Sequence, residues 1–442
     1  MPSMSRRSLL GVAAGFAAAA PSFAAVSDPL NGVQPEKLKI TDVRVTLLSY
    51  RLPKEKQWYT ARAVTWKTDS ILVEVFTDKG IVGIGESTQY GGPAYVKKFI
   101  DEEIKPRIVG KNPFDVQHLT GPWKDVPWGQ QVAWAGVDGA MWDIIGKAKE
   151  TPVYKLLAAG DAPNPHIRMY ASGGVEYTWY KRPQDLIDEA ARHKEEGYTA
   201  FKFRIGTEWK SNGITLDKYI PYLRKIREAV GPDFDLMQES NMRLTLEQCL
   251  QLAPVLEELK FLWFEEPVSR TAPGALDAYR KIRQAMKTVK VSGGETMTTR
   301  LDFKEWIDRD GYDIVQPDCN TTGVSEAWNI ARIAALSGKY CCPHNWHGGL
   351  TTMMNAALVA AIPNHLVLEL NQTFNPFKEE VFKDPLVVKR GYLDLSNKPG
   401  FGVELAAGGA EALARKFPYL PGRYDMPNPD QPLVIEEWDG MR

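Results

Sequence analysis

Apolar and polar residues follow two different patterns along the chain. Between Thr41 and Tyr50 they alternate, which puts Val43, Val45 and Leu47 on one face of a strand. The run Ile71–Phe76, the turn residues Thr77-Asp78-Lys79-Gly80 and the run Ile81–Ile84 read as a hairpin. Val137, Met141, Ile144, Ile145 and Ala148 then recur at helical spacing, and Thr151-Pro152 stops that helix. Residues 40–160 are therefore expected to form a small α+β unit, strands first and helices after. The polar, aromatic stretch carrying Trp58, Tyr59 and Trp66 either covers a substrate or packs within this unit.

From Pro165 onward, strand-like runs alternate with helical stretches. The runs are Arg168–Gly174, Thr199–Gly206, Phe234–Glu239, Phe261–Glu265, Thr288–Glu295, Tyr312–Asp318, Tyr340–His344 and Leu366–Glu369. One helical stretch carries Leu186, Ala190 and His193, with Pro183 at its start and Gly197 at its end. Eight strands joined by helices predict a (β/α) barrel over 161–390, and no internal repeat favours a solenoid.

The stretch Phe261–Pro267 shows what the strand ends carry. Four bulky apolar residues run into Glu265 and Glu266, and Pro267 then ends the ladder because it has no N–H to donate. On its own, a strand end with two solvated acids explains this equally well. The pattern recurs, however. Lys202 and Arg204 share one face of the second strand, two residues apart. Glu239, Glu265, Glu295, Asp318, His344 and Glu369 follow at intervals of 26, 30, 23, 26 and 25 residues, about one βα unit each. In a parallel barrel such ends open on one mouth, so the scattered set becomes a single site.

Residue type indicates the chemistry. Glu239, Glu265 and Glu295 cannot converge without a cation, and oxygen-only ligands suit Mg²⁺. His344 near Asp318 is a base with an orienting partner. Lys202 and Arg204 add positive charge. A metal and cations facing a base suit removal of a proton α to a carboxylate, provided charge is stabilised as it develops.

The 442 residues are 44% hydrophobic and 25% charged, an ordinary globular balance long enough for a barrel and a smaller unit. A net charge of −1 without basic runs argues against nucleic acid as a partner. No later segment reaches 18 uninterrupted apolar residues, so no membrane span is expected. Ser5-Arg6-Arg7-Ser8 precedes an Ala/Gly-rich apolar stretch and Ser22-Phe23-Ala24. Residues 1–24 read as a twin-arginine signal peptide, with an ordinary secretory leader as the alternative. The expected destination is the periplasm or outside the cell, with 25–39 as a linker. Cys249, Cys319, Cys341 and Cys342 are taken as packing residues, Cys319 and Cys341 as near neighbours.

Lys202-Phe203-Arg204, Glu239-Ser240-Asn241, Phe264-Glu265-Glu266-Pro267, Gly293-Gly294-Glu295, Gln316-Pro317-Asp318, Pro343-His344 and Leu368-Glu369-Leu370 occur in this order. Together they resemble the enolase superfamily, in its mandelate racemase and muconate lactonizing enzyme branch, and particularly the acid sugar dehydratases. The resemblance spans nearly the whole chain after the leader. It implies a modified TIM barrel, (β/α)7β, with an N-terminal α+β capping domain, 391–442 returning to pack on the cap, and a homo-oligomer. It also implies Glu239, Glu265 and Glu295 as Mg²⁺ ligands, His344 with Asp318 as base and partner, and Glu369 as the acid that hydrogen-bonds the substrate carboxylate or enolate. Lys202 and Arg204 take the place of the family's Lys-x-Lys pair.

Two positions depart from that pattern. Glu239 stands where the ligand is often Asp. Arg204 stands where the racemases have a second base, and a guanidinium stays protonated. One base fits dehydration better than racemisation. His344 would take the α-proton of a sugar acid, aldonate or aldarate, and a β-hydroxyl would leave to give a 2-keto-3-deoxy acid. His344 itself, or less readily His347, would protonate that hydroxyl. An epimerase or racemase using Lys202, a cycloisomerase, and a non-catalytic exported sugar-acid binding protein are the alternatives. Glu266 is read as a support beside a ligand. His193 is read as structural, and His118, His166 and His365 are assigned no role.

Overall fold

The computed structural model of the protein describes residues 28–59, 63–121, 126–176, 182–204 and 215–427. The proposed signal peptide, the start of the linker, Gly206 and the last residues of the C-terminal return lie outside these.

The N-terminal unit is a three-stranded antiparallel sheet of Ile40–Arg51, Lys67–Thr77 and Val82–Ser87. The hairpin closes where the turn residues require it. Gly80, at φ 76°, donates its N–H to Thr77 O, and Thr77 in turn donates to Ile81 O. The first strand keeps the predicted alternation at Val43 and Val45, but full burial then shifts by one residue to Leu48 and Leu47 is half-buried. The helix Trp128–Ala148 crosses the Val82–Ser87 strand at very short range. A Cβ on Gly83 would stand 2.0 Å from Ala140 O, and one on Gly85 would stand 2.0 Å from Gly136 O. Only glycine permits that approach. Val137, Met141, Ile144 and Ile145 are fully buried in it.

Eight parallel strands follow, each of the first seven joined to the next through a helix. They are His166–Gly173, Ala200–Arg204, Asp235–Glu239, Trp263–Glu265, Lys290–Gly293, Ile314–Val315, Tyr340–Cys341 and Leu368–Asn371. The ladder runs in sequence order from the first to the seventh, and the eighth pairs with the free side of the first. Among the described residues no ladder joins the seventh to the eighth. Asn345 bridges them instead, its backbone N–H donating to Glu369 Oε2 (2.7 Å) and its side-chain amide to Glu369 O (2.8 Å). The later strands are shorter than their apolar runs suggest, because Pro317 and Pro343 end them early.

Cap and barrel share one core. Buried Glu86 of the cap accepts from Ser70 Oγ (2.5 Å) and from both the backbone N–H (3.0 Å) and hydroxyl (2.7 Å) of Thr351, on the last barrel helix. Trp142 of the cap helix donates to Ser325 Oγ at 2.8 Å. After the eighth strand, Tyr392–Asp394 pairs antiparallel with the first barrel strand. The chain then returns to the cap. The helix Gly409–Lys416 packs there, Ser49 N donates to Phe417 O at 3.3 Å, and Asp425–Pro427 pairs with Ala63–Thr65. All four cysteines are free and buried.

Candidate active site

Strand register assembles the site. Arg204 lies opposite Glu239 and Glu239 opposite Glu265, so these three share one layer across neighbouring strands. Lys202, one pleat deeper on the same face, reaches Glu265 Oε1 at 2.5 Å, Glu369 Oε1 at 3.0 Å and Glu239 Oε2 at 3.8 Å. Glu295 arrives differently. It lies beyond the fifth strand, after Gly294 turns the backbone at φ 104°; a Cβ there would lie 2.5 Å from the Phe303 ring.

Ligand oxygens of Glu239, Glu265 and Glu295 all lie within 4.8 Å of one another. Their other contacts fix the carboxylate orientation. Glu265 Oε2 accepts from Trp263 Nε1 (2.9 Å) and Gln316 Nε2 (2.7 Å), and Glu239 Oε2 accepts from Arg204 Nε at 3.0 Å. Buried Glu295 Oε2 accepts no hydrogen bond among the described residues. Three convergent carboxylates, one with an orphaned oxygen, fit a hard divalent cation such as Mg²⁺. Glu266 points elsewhere, its Oε1 accepting from Gly294 N at 3.3 Å.

His344 and Asp318 meet as predicted from sequence, Nδ1 to Oδ2 at 2.8 Å, both buried. The far oxygen of Asp318 accepts from Asn355 Nδ2 (3.1 Å) and Asn320 N (3.2 Å), so the carboxylate cannot rotate away. His344 Nε2 faces the metal-type cluster, 3.4 Å from Glu295 Oε2. Burial opposes a charge on His344, but Glu295, Glu369 and Asp318 outweigh it and raise the imidazole to about 10. His347 stands 3.6 Å from the same Asp318 oxygen; burial and His344 drive it down to about 4, so it is neutral.

Lys202 and Arg204 are held as cations. Burial opposes this in both; Glu265 and Glu369 outweigh it at Lys202, and Glu239 and Glu295 at Arg204. Glu369 is ionised. Burial would raise it, but Lys202, His344 and hydrogen bonds from Ser172 and Asn345 hold it at about 2.

Every candidate residue thus lies in one buried cluster at the strands' C-terminal ends. Of the aromatic residues around it, sequence reasoning named Trp58 but missed Trp346 and Tyr90. Trp346 lies under the Arg204 guanidinium at 5.4 Å and against Trp58 at 5.7 Å. Trp58 is therefore cap packing that also backs the site, while the Trp66 indole donates to Arg423 O at 3.0 Å. Tyr90 packs on the His347 ring at 4.9 Å. Trp263 and Gln316 were legible by position, each two residues before a predicted site acid. His193 is buried between Glu189 and Glu196, a structural role.

The fold and site define a class. Residues 43–158 match the mandelate racemase / muconate lactonizing enzyme N-terminal domain, and residues 185–408 match the enolase C-terminal domain-like family. The chain belongs to this family and is an enzyme of the enolase superfamily. It is similar to D-galactarolactone cycloisomerase of Agrobacterium fabrum, at 30% identity over 83% of this chain and 97% of that one. Arabinonate dehydratase of Saccharolobus solfataricus is also 30% identical, over 76% of this chain and 88% of that one. D-xylonate dehydratase of Haloferax volcanii is 28% identical over 88% and 91%. Among solved structures, 3,6-anhydro-D-galactonate cycloisomerase from Zobellia galactanivorans superposes with a TM-score of 0.73, at 29% identity over 86% of this chain and 100% of that one.

Proposed function

We propose that the protein is a Mg²⁺-dependent dehydratase of a sugar acid, aldonate or aldarate, with Glu239, Glu265 and Glu295 as the metal ligands. The asymmetry around the carboxylate cluster carries this reading. Among the described residues His344, oriented by Asp318, is the only general base facing it, while Arg204 stays a cation. When bound, the divalent ion supplies positive charge to the substrate carboxylate as the α-proton leaves. His344 Nε2 takes that proton, and Asp318 stabilises the imidazolium. Lys202 and Arg204 offset the negative charge that develops, and Glu369 keeps Lys202 in place. The β-carbon–oxygen bond then breaks, and His344 returns its proton to the departing hydroxyl. Water leaves, and the enol tautomerises to a 2-keto-3-deoxy acid. The similarity to arabinonate and xylonate dehydratases supports this outcome.

Cycloisomerisation of an aldarolactone is the second reading, favoured by the 97% coverage of the Agrobacterium relative. It uses the same proton abstraction but expels a ring oxygen rather than hydroxide. Proton NMR in D₂O discriminates them, with aldonates, aldarates and aldarolactones, Mg²⁺ or EDTA, and a His344→Asn control. New 2-keto-3-deoxy resonances from an open-chain aldonate or aldarate, which both controls abolish, establish the dehydratase. The same ring-opened 2-keto-3-deoxy acid formed from an aldarolactone alone, isomeric with it and without loss of water, moves the assignment to the second reading. Ligand binding without any loss of α-proton would overturn both and leave a binding protein.

A further inference from the structure

We propose that Tyr424, carried by the C-terminal return, is an active-site residue that reads the hydroxyls of the substrate's distal carbons together with Tyr90 of the cap. The inference rests on the sugar-acid reading above and extends it to the residue that selects chain length and hydroxyl pattern.

The return is fixed to the cap by its backbone. Trp66 N and Lys67 N both donate to Tyr424 O, at 3.0 and 3.4 Å. The Trp66 indole donates to the neighbouring Arg423 O, and Lys67 Nζ donates to Leu420 O at 2.6 Å. Asp425–Pro427 then continues as a strand beside Ala63–Thr65. Tyr424 is thereby set against Tyr90, ring centroids 5.3 Å apart, and Tyr90 packs in turn on the His347 ring. Both phenols lie within electrostatic reach of Glu295 and Arg204. Burial leads in keeping both protonated, so each offers an O–H donor and an acceptor at neutral pH. The floor of the site, where Lys202 and a cation held by Glu239, Glu265 and Glu295 would supply positive charge, takes the carboxylate end of a substrate. The two phenols adjoin that floor through the Tyr90–His347 contact, on the cap and return side, where the polyhydroxy tail of a substrate would have hydroxyls to pair. A pocket that hydrogen-bonds a hydroxyl discriminates strongly against an acid lacking it.

The test measures binding, so that it does not depend on turnover. Dissociation constants are measured by calorimetry on the Mg²⁺-loaded full chain, for five- and six-carbon aldonates and for glycerate, which keeps the carboxylate end without the tail. Tyr424→Phe removes only the hydroxyl and should weaken the long acids about tenfold, leaving glycerate within about twofold. Tyr90→Phe should do the same. Tyr419→Phe, on the same return but beside Lys67, should change neither. Where a substrate is turned over, the Tyr424→Phe loss should fall on KM with kcat nearly unchanged. Equal weakening of long and short acids, no weakening of either, or a wild type with no preference for the longer acids overturns the inference. A wild type that binds long acids through Tyr424 yet exchanges no α-proton overturns the dehydratase reading and leaves this one standing.

Discussion

Nδ1 of His344 lies 2.8 Å from Oδ2 of Asp318, and the opposite oxygen of Asp318 is held by Asn355 and the Asn320 amide. That arrangement fixes which nitrogen titrates: Nδ1 keeps its hydrogen on Asp318, and the proton gained or given up is the one on Nε2, towards the carboxylate cluster. His344→Asn should lower turnover and α-proton exchange by roughly 10²- to 10⁴-fold, the usual worth of a positioned base. Asp318→Asn should cost as much for a different reason. The two donors on Oδ1 keep the amide oxygen on their side, so the new NH₂ faces His344 and forces the hydrogen onto Nε2. Deuterium wash-in at the α-carbon checks both. A variant that retained wild-type exchange would remove the base assignment.

Glu295 raises His344, so metal and pH are linked. Without a cation the imidazole is raised to about 10, above its ordinary value of about 6.5. A histidine that binds its proton more tightly when folded contributes stability that is whole below about pH 6.5 and is lost as pH rises through about 10. The metal-free protein should lose thermal stability across that window, and His344→Asn should flatten part of the fall. Mg²⁺ drawn to Glu295 should lower the His344 midpoint in an NMR titration. At 100 times its dissociation constant it should also stabilise the fold by about 2.7 kcal/mol. A midpoint indifferent to Mg²⁺ would separate Glu295 from the metal.

Export is a separate proposal, resting on Arg6 and Arg7. The double substitution Arg6→Lys, Arg7→Lys should keep the folded chain inside the cell with its leader attached, because paired arginines are the address that the twin-arginine route reads. Fractionation with the intact leader as marker checks it. Unchanged export would point to the ordinary secretory route.

Much of this site was legible because strand ends recur at the period of a βα unit. Glu239, Glu265, Asp318, His344 and Glu369 needed only that spacing and their residue types. The geometry that distinguishes their roles was not legible. Glu295 sits past its strand, on a glycine turn whose φ no apolar pattern encodes. The aromatic wall of Trp346, Tyr90 and Tyr424 comes from three segments far apart in sequence, and only tertiary packing brings them together. Leu47 and Leu48 show the same limit on a smaller scale: the alternation placed the strand correctly, but the shift of full burial to Leu48 depends on packing beyond it.

Arg204 is where the reaction type is decided. Its Nε donates to Glu239 at 3.0 Å and its plane lies over Trp346, so it is both oriented and permanently charged. Arg204→Lys keeps a cation but introduces a group that can give up its proton. If the missing second base is what bars epimerisation, this variant should produce a little of the α-epimer in D₂O, deuterated at that carbon, while dehydration slows roughly tenfold or more through loss of the fixed guanidinium. Arg204→Gln, with neither charge nor base, should slow dehydration further and give no epimer. Chiral chromatography with mass detection reads all three proteins. Epimer from the wild type would show that Lys202 already serves as a second base, and epimer from neither variant would mean that geometry, rather than the missing base, prevents the second proton transfer.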